Sequence, residues 1–384
     1  MTGTDQLAHP VRRIPTDPEE DSPEPGIALC LSGGGYRAML FHVGAMWRLN
    51  ELGYLPRLDR VSSVSGGSIA AGVLACAWDK LAFDENGVSP EFERLVASPL
   101  RDLARVSVDW RAVLTGALIP GQTISQRVAG YYKRKLFADK TLQDLPDQPR
   151  FVINSTNLQS GELWRFSKPY MWDWRVGRID APAFPLAWAV AASSAFPPVL
   201  SPAVFDFKDS DYVADTGDGL QKSPFTTRVV LSDGGVYDNL GLETAWKRCQ
   251  TVLVSDGGGH MPDMPKPPRN WGLQSMRVLK TIDNQVRALR KAQAIDGFAS
   301  GARKGAYWGI RSAVASFPVD GGLDCADTAT NDLAEIGTRL CSMKAQTQER
   351  LINWGYAICD VAMRSHVCDR PAGPPKFPYA GGVG

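Results

Sequence analysis

Charge of one dominant sign is missing from this sequence. Forty-two lysines and arginines against 41 aspartates and glutamates leave a formal net charge of +1, so no whole-molecule field gathers a polyanion and no nucleic-acid partner is expected. Histidine is scarce, with four in the chain, and neither these nor the seven cysteines fall at ligand spacing. No metal centre and no other cofactor is therefore expected. The cysteines form no C-x-x-C pair, and their odd count makes a poor disulfide framework, which points to reduced, mostly buried thiols. The late group Cys325, Cys341, Cys359 and Cys368 leaves room for one pair. Long apolar runs are lacking too. The longest nearly uncharged stretch, 184–204, is cut by Pro185, Pro197, Pro198 and Pro202, which excludes a membrane span. Residues 1–25 carry prolines and acids where a secretory signal has its apolar centre. They read as a disordered lead-in to a cytoplasmic protein that is at most peripheral at a membrane.

What is there is ordinary globular material, 44% hydrophobic and 22% charged, enough for one large domain over 26–368 followed by a loose Pro/Gly-rich tail at 369–384. No repeat of fixed period is present. Ile27 to Leu31 is a strand; three glycines follow, then apolar residues at helical spacing (Leu40, Val43, Met46, Trp47, Leu49) up to Gly53. LDRVSSV supplies a second strand and GGSIAAGVLACAW a small-residue helix. Strand, turn and helix, twice over, predict a three-layer α/β/α fold with a central, mostly parallel sheet. A helical insertion is expected at about 91–137. Within it, 108–120 and 131–137 mix aromatic, aliphatic and basic residues, the composition of an interfacial lid or of a core segment with one solvated face. FVINSTNLQSGELWRFSK predicts a hairpin and 188–196 a short buried helix. RVVLSDGG and TVLVSDGGG predict strands that end in Asp-Gly, and 273–295 and 331–366 are helical in pattern.

Two glycine-eased turns carry the chemistry. In VSSVSGGS, Ser65 follows a strand and precedes a helix, with Ser63 and Gly67 as small flanks. That is the form of a nucleophile elbow, with serine where the usual pattern has glycine, and equally the form of a serine N-cap. The helix beginning at Gly66 aims its positive end and free N–H groups at the serine. In LSGGGYRA, Gly33, Gly34 and Gly35 offer bare backbone N–H groups to an oxyanion or a phosphate. No Lys-Ser/Thr pair follows as in a P-loop, and dinucleotide spacing is missing. Arg37 either steadies the loop or meets an anionic headgroup. A serine nucleophile needs a base, and three groups compete: His260, in a Ser-Asp-His order, and the strand-end carboxylates Asp233 and Asp256. A carboxylate shielded from water takes a proton when burial raises its pKa, and the residues alone leave this choice open.

GGGYRA at 33–38, SVSGGS at 63–68, ASSAFPP at 192–198 and DGGVYDN at 233–239, in that order, resemble the motifs of patatin-like phospholipases over about residues 26–245. Family sequences often carry Asp before the glycines and Gly after the arginine, where this chain has Ser32 and Ala38. The resemblance implies a Ser-Asp dyad with Ser65 as nucleophile and Asp233 as base. It also implies an oxyanion loop of Gly33, Gly34 and Gly35 with Gly66, and a substrate of phospholipid or another acyl ester met at a membrane surface. The rival readings are a general carboxylesterase or thioesterase with the same dyad, and a non-catalytic lipid- or phosphate-binding module.

Overall fold

The computed structural model describes residues 23–108, 124–198, 200–369 and 373–384. Most of the expected lead-in and most of the expected lid segment at 108–120 lie outside these residues. Ten strands form one sheet: β1 (Glu24–Leu31), β2 (Arg60–Ser63), β3 (Arg150–Asn157), β4 (Leu163–Phe166), β5 (Tyr170–Asp173), β6 (Gly177–Asp180), β7 (Ala203–Asp206), β8 (Arg228–Asp233), β9 (Cys249–Asp256) and β10 (Lys304–Gly309). The strands β10, β9, β1, β2 and β3 are parallel neighbours, and β4, β5 and β6 continue the sheet antiparallel. The helices are α1 (Gly35–Glu51), α2 (Gly66–Ala77), α3 (Ser98–Ala104), α4 (Ile124–Tyr132), α5 (Leu186–Ser193), α6 (Gly235–Asp238), α7 (Leu242–Trp246), α8 (Trp271–Ala299), α9 (Asp327–Glu335) and α10 (Ala345–His366).

Side-chain alternation along the central strands builds the layers. Successive residues of a strand point to opposite faces. In β1, Leu29 and Leu31 enter the main core with α1, α2 and α10, whereas Ala28 and Cys30 face a second, smaller core of Leu242, Ala245, Val252, Val254 and Ala294. Strands apolar on both sides need helices on both sides, which is the three-layer arrangement expected from the sequence. Where α1 crosses α10 the backbones nearly touch: a Cβ on Gly44 would stand 1.8 Å from the Ile352 carbonyl oxygen, and one on Gly355 1.9 Å from that of Phe41. These two glycines set the helix spacing, and either as alanine forces the pair apart.

The sheet also fixes the site. β2 runs parallel to β3 and ends with Ser63 opposite Ile153, while β8 runs antiparallel to β3 and arrives with Asp233 opposite Ser155. Since β4 holds the other edge of β3 over 153–156, β2 and β8 share one edge and meet end to end. The segments leaving Ser63 and Asp233 are thus two strand positions apart, about 7 Å.

Two stretches differ from expectation. The pattern at 331–366 is not one helix: α9 ends at Glu335 and α10 begins at Ala345, and the strap between them is pinned where the Val108 N–H meets the Leu340 carbonyl and the Met343 N–H that of Ala104. The tail is not loose over 373–384. Asn353 Nδ2 donates to the carbonyls of Tyr379 and Gly382, each at 2.7 Å, Arg350 Nε donates to that of Val383, and Val383 is itself buried. Proline and glycine report the absence of regular structure there, not the absence of docking. No disulfide joins the cysteines among the described residues.

Candidate active site

Ser65 stands between β2 and α2 with φ 52° and ψ −117°, a left-handed backbone that costs a non-glycine residue about 1–3 kcal/mol. The turn is too tight for side chains on its inner surface. A Cβ on Gly66 would lie 2.2 Å from the Gly35 carbonyl oxygen, and one on Gly67 2.3 Å from that of Leu31. Serine replaces glycine two residues before Ser65 without penalty, because the Ser63 hydroxyl finds partners in the Val152 carbonyl and the Ser68 hydroxyl. Although Ser65 sits at the N-cap position, its side chain makes no capping hydrogen bond. Its N–H donates instead to Ser193 Oγ at 3.0 Å, and Ser193 Oγ donates to the Asn154 carbonyl at 2.7 Å. The ASSAF motif therefore bolts the elbow to β3. Ser193→Ala orphans the part-buried Ser65 N–H, and a loss of about 1–3 kcal/mol in urea denaturation is expected.

Asp233 is buried, and its Oδ1 accepts from the Gly235 N–H at 2.7 Å. Its Oδ2 has no hydrogen bond of normal geometry among the described residues. Burial pushes this carboxyl up to about 7, offset in part by the Gly235 N–H and the Ser65 hydroxyl that faces it. Asp256, the other SDGG aspartate, is its opposite. It is partly buried, but Arg287, the Tyr307 hydroxyl at 2.8 Å and the Gly258 N–H at 2.8 Å outweigh that burial and hold it below the ordinary carboxylate range. A saturated, charged carboxylate is a poor proton acceptor.

The histidines offer no better base. His42 Nε2 faces the Ser32 carbonyl at 2.9 Å and therefore carries the proton, and Nδ1 accepts from Ser255 Oγ at 2.8 Å. Burial lowers this ring to about 4, so it is a neutral strut. His260 lines a separate cleft with Asp256, Arg287 and Arg311, at the carboxyl ends of β9 and β10. His366 packs edge-on against Phe317, and His9 is outside the described residues.

The glycine loop follows β1. Gly34 at φ 144° and Gly35 at φ 60° adopt backbone that side chains disfavour. One expectation changes here and one open choice closes. The Gly33 N–H, expected as an oxyanion donor, is already bound to the Asn239 carbonyl at 3.0 Å, whereas nothing among the described residues takes the N–H of Gly34, Gly35 or Gly66. Arg37 is buried and spends its guanidinium on three carbonyls, those of Ala334, Ile336 and Gly257. It clamps the start of the strap to the loop and has no headgroup to meet. Ser32, where the family pattern has Asp, accepts the Gly257 N–H on Oγ at 2.9 Å, so the substitution keeps the loop anchored. Asn239, Ser193, Ser32 and Tyr132 were missed by sequence reasoning. Asn239, Ser193 and Ser32 lay inside quoted motifs and Tyr132 inside the segment 131–137, but polar residues that bond backbone have no signature of their own. The buried hydroxyls of Tyr36 and Tyr132 have no hydrogen bond of normal geometry, and burial, partly countered by the Ser194 hydroxyl, raises Tyr132 beside Asp233. Tyr132 thus stands within electrostatic reach of Asp233, and Tyr36 within that of Tyr132.

Comparison with known proteins follows this geometry. Human GIVD cytosolic phospholipase A2 superposes with a TM-score of 0.51 at 12% identity, over 94% of this chain and 61% of that one. VipD from Legionella pneumophila does so at 0.36 and 17% identity, over 89% and 67%, and the type III effector ExoU at 0.35 and 13%, over 90% and 54%. This chain thus spans about three-fifths of the human protein's length, and at such identity the first likeness speaks for the fold. No curated protein matches the sequence. The family profile described as patatin-like phospholipase matches residues 29–246, from the strand before the glycine loop to the helix after DGGVYDN, and the chain belongs to the patatin-like phospholipase family.

Proposed function

We propose that the protein is a lipid acyl hydrolase that cleaves fatty-acyl esters of phospholipids through a Ser65–Asp233 dyad. The observation that carries this reading is the contrast between the two strand-end aspartates. Asp233 has a raised pKa, an unspent oxygen and Ser65 in front of it, while Asp256 is fully paired. Asp233 takes the Ser65 proton as Oγ attacks the ester carbonyl, and the N–H groups of Gly34, Gly35 and Gly66 receive the oxyanion. The proton then passes to the leaving alcohol. Water, deprotonated by Asp233 in its turn, splits the acyl-enzyme to fatty acid and free Ser65. Each oxyanion donor is worth roughly a hundred- to a thousandfold in rate.

A lipid panel with mass analysis of products tests this: phospholipids of several headgroups against short-chain esters and acyl thioesters. Release of fatty acid and lysolipid from phospholipid supports the reading. Turnover confined to short esters or thioesters replaces it with the general esterase, and binding without any turnover with the non-catalytic module.

A further inference from the structure

An ordinary surface helix turns its apolar stripe inward and its charges outward. The 29-residue α8 does the reverse. Its inner contacts are largely ionic: Arg290 pairs with Glu243 at 2.8 Å and Arg287 with Asp256 at 3.7 Å, beside the buried Ala294 and Gly297, the latter packed on the Trp246 ring. Trp271, Val278, Ile282 and Leu289 are spaced by seven, four and seven residues, so they share one outward stripe, and they are 81%, 52%, 55% and 69% exposed. Seven of the thirteen exposed large hydrophobics among the described residues lie on this helix, and Met264 lies just before it. Scatter of single exposed residues is normal; seven on one helix, four of them along one stripe, mark a contact surface.

Charge says what the surface meets. Residues 261–285 contain Lys266, Arg269, Arg277 and Lys280 against Asp263 and Asp283, four positive and two negative, a local +2 in a chain whose total is +1. Two copies joined through this end would bring like charges together, which is costly. Basic residues beside an exposed tryptophan and aliphatic stripe suit an anionic lipid surface, where the apolar groups enter the acyl boundary and the cations stay among the headgroups. The position is apt as well, since α8 packs on α6, the short helix that directly follows Asp233. No helix among the described residues is long and apolar enough to cross a membrane, so such contact is made from one side.

We propose that the N-terminal half of α8, with the loop at 261–270 before it, is the surface on which the protein docks to an anionic lipid bilayer. Its use rests on the acyl-hydrolase reading; its measurement does not. The test is sedimentation of the full chain carrying Ser65→Ala, which leaves vesicles intact, with vesicles of phosphatidylcholine alone or mixed with phosphatidylglycerol. Binding to the mixed vesicles is expected, weakened by salt. Trp271→Ser with Ile282→Ser lowers it at least about tenfold, and Arg269→Gln with Lys280→Gln about fivefold per charge. All four side chains project from the surface, and a melting curve for each variant confirms its fold. Absence of vesicle binding, variants that sediment like the parent, or a dimer in light scattering that Ile282→Ser dissociates would each overturn the proposal.

Discussion

Ser65→Ala is expected to remove ester hydrolysis by about four to six orders of magnitude and to abolish labelling by a fluorophosphonate probe, with thermal stability essentially unchanged. The two halves of this result separate the competing readings of VSSVSGGS. A serine that merely caps a helix contributes about 1 kcal/mol of stability and no chemistry, so its loss shows in the melt and not in the assay. Ser65 makes no capping bond, and its backbone N–H, which holds the elbow through Ser193, is untouched by the substitution. Alanine also keeps the strained φ of 52°, so that cost is neither relieved nor increased. Ser65→Gly sharpens the contrast. It is equally inactive, but glycine accepts this backbone freely, and a gain of about 1 kcal/mol or more is expected in denaturant unfolding. An inactive variant more stable than the parent identifies strain held for function. Hydrolysis surviving in Ser65→Ala removes the serine from the mechanism.

Legibility in the sequence followed the range of the forces involved. The strand–turn–helix units at 27–53 and 58–78 were readable because glycine chemistry and apolar periodicity are local. The same held for the strands ending at Asp233 and Asp256, which are runs of β-branched and aliphatic residues stopped by Asp-Gly. Convergence of Ser65 and Asp233 was not readable, because it depends on β2 and β8 abutting along one edge of β3, a pairing across more than 160 residues of chain. The choice between the two SDGG aspartates was closed to sequence for a similar reason. Their local strings are alike, and only Arg287 and Tyr307, both distant in sequence, separate a saturated carboxylate from a poised one. Gly33 reads as an anion donor, and Arg37 as a donor to the anion or a brace for the loop, because donors look free in a sequence. Folding gave both to carbonyls, those of Asn239 for the first and of Ala334, Ile336 and Gly257 for the second.

The pH profile carries the second large effect, because the two aspartates differ in sign. A base must be deprotonated to act, so with Asp233 raised to about 7 the kcat/KM for a water-soluble ester climbs with pH through about 7 and then levels. Were Asp256 the base, its depressed pKa would place the limb below the ordinary carboxylate range and leave the profile flat across neutrality. Asp233→Asn is expected to cost about a hundred- to ten-thousandfold in kcat/KM and to erase the limb at 7. Asp256→Asn loosens the Arg287–Tyr307 cluster and is read in stability before activity. Stability gives an independent check on the same pKa. A folded-state value near 7 against the ordinary carboxylate value of 3.8 in the unfolded chain means that the native state holds the extra proton between the two. The stability this contributes is fully present below about pH 4 and is lost as pH rises through 7. Asparagine carries no such dependence, so Asp233→Asn gains on the parent with rising pH, by a few kcal/mol at most above 7. Unfolding curves at pH 5 and pH 8 measure that gap. A gap that does not widen between them means that Asp233 does not titrate near 7, and a limb at 7 in the rate profile then belongs to another group.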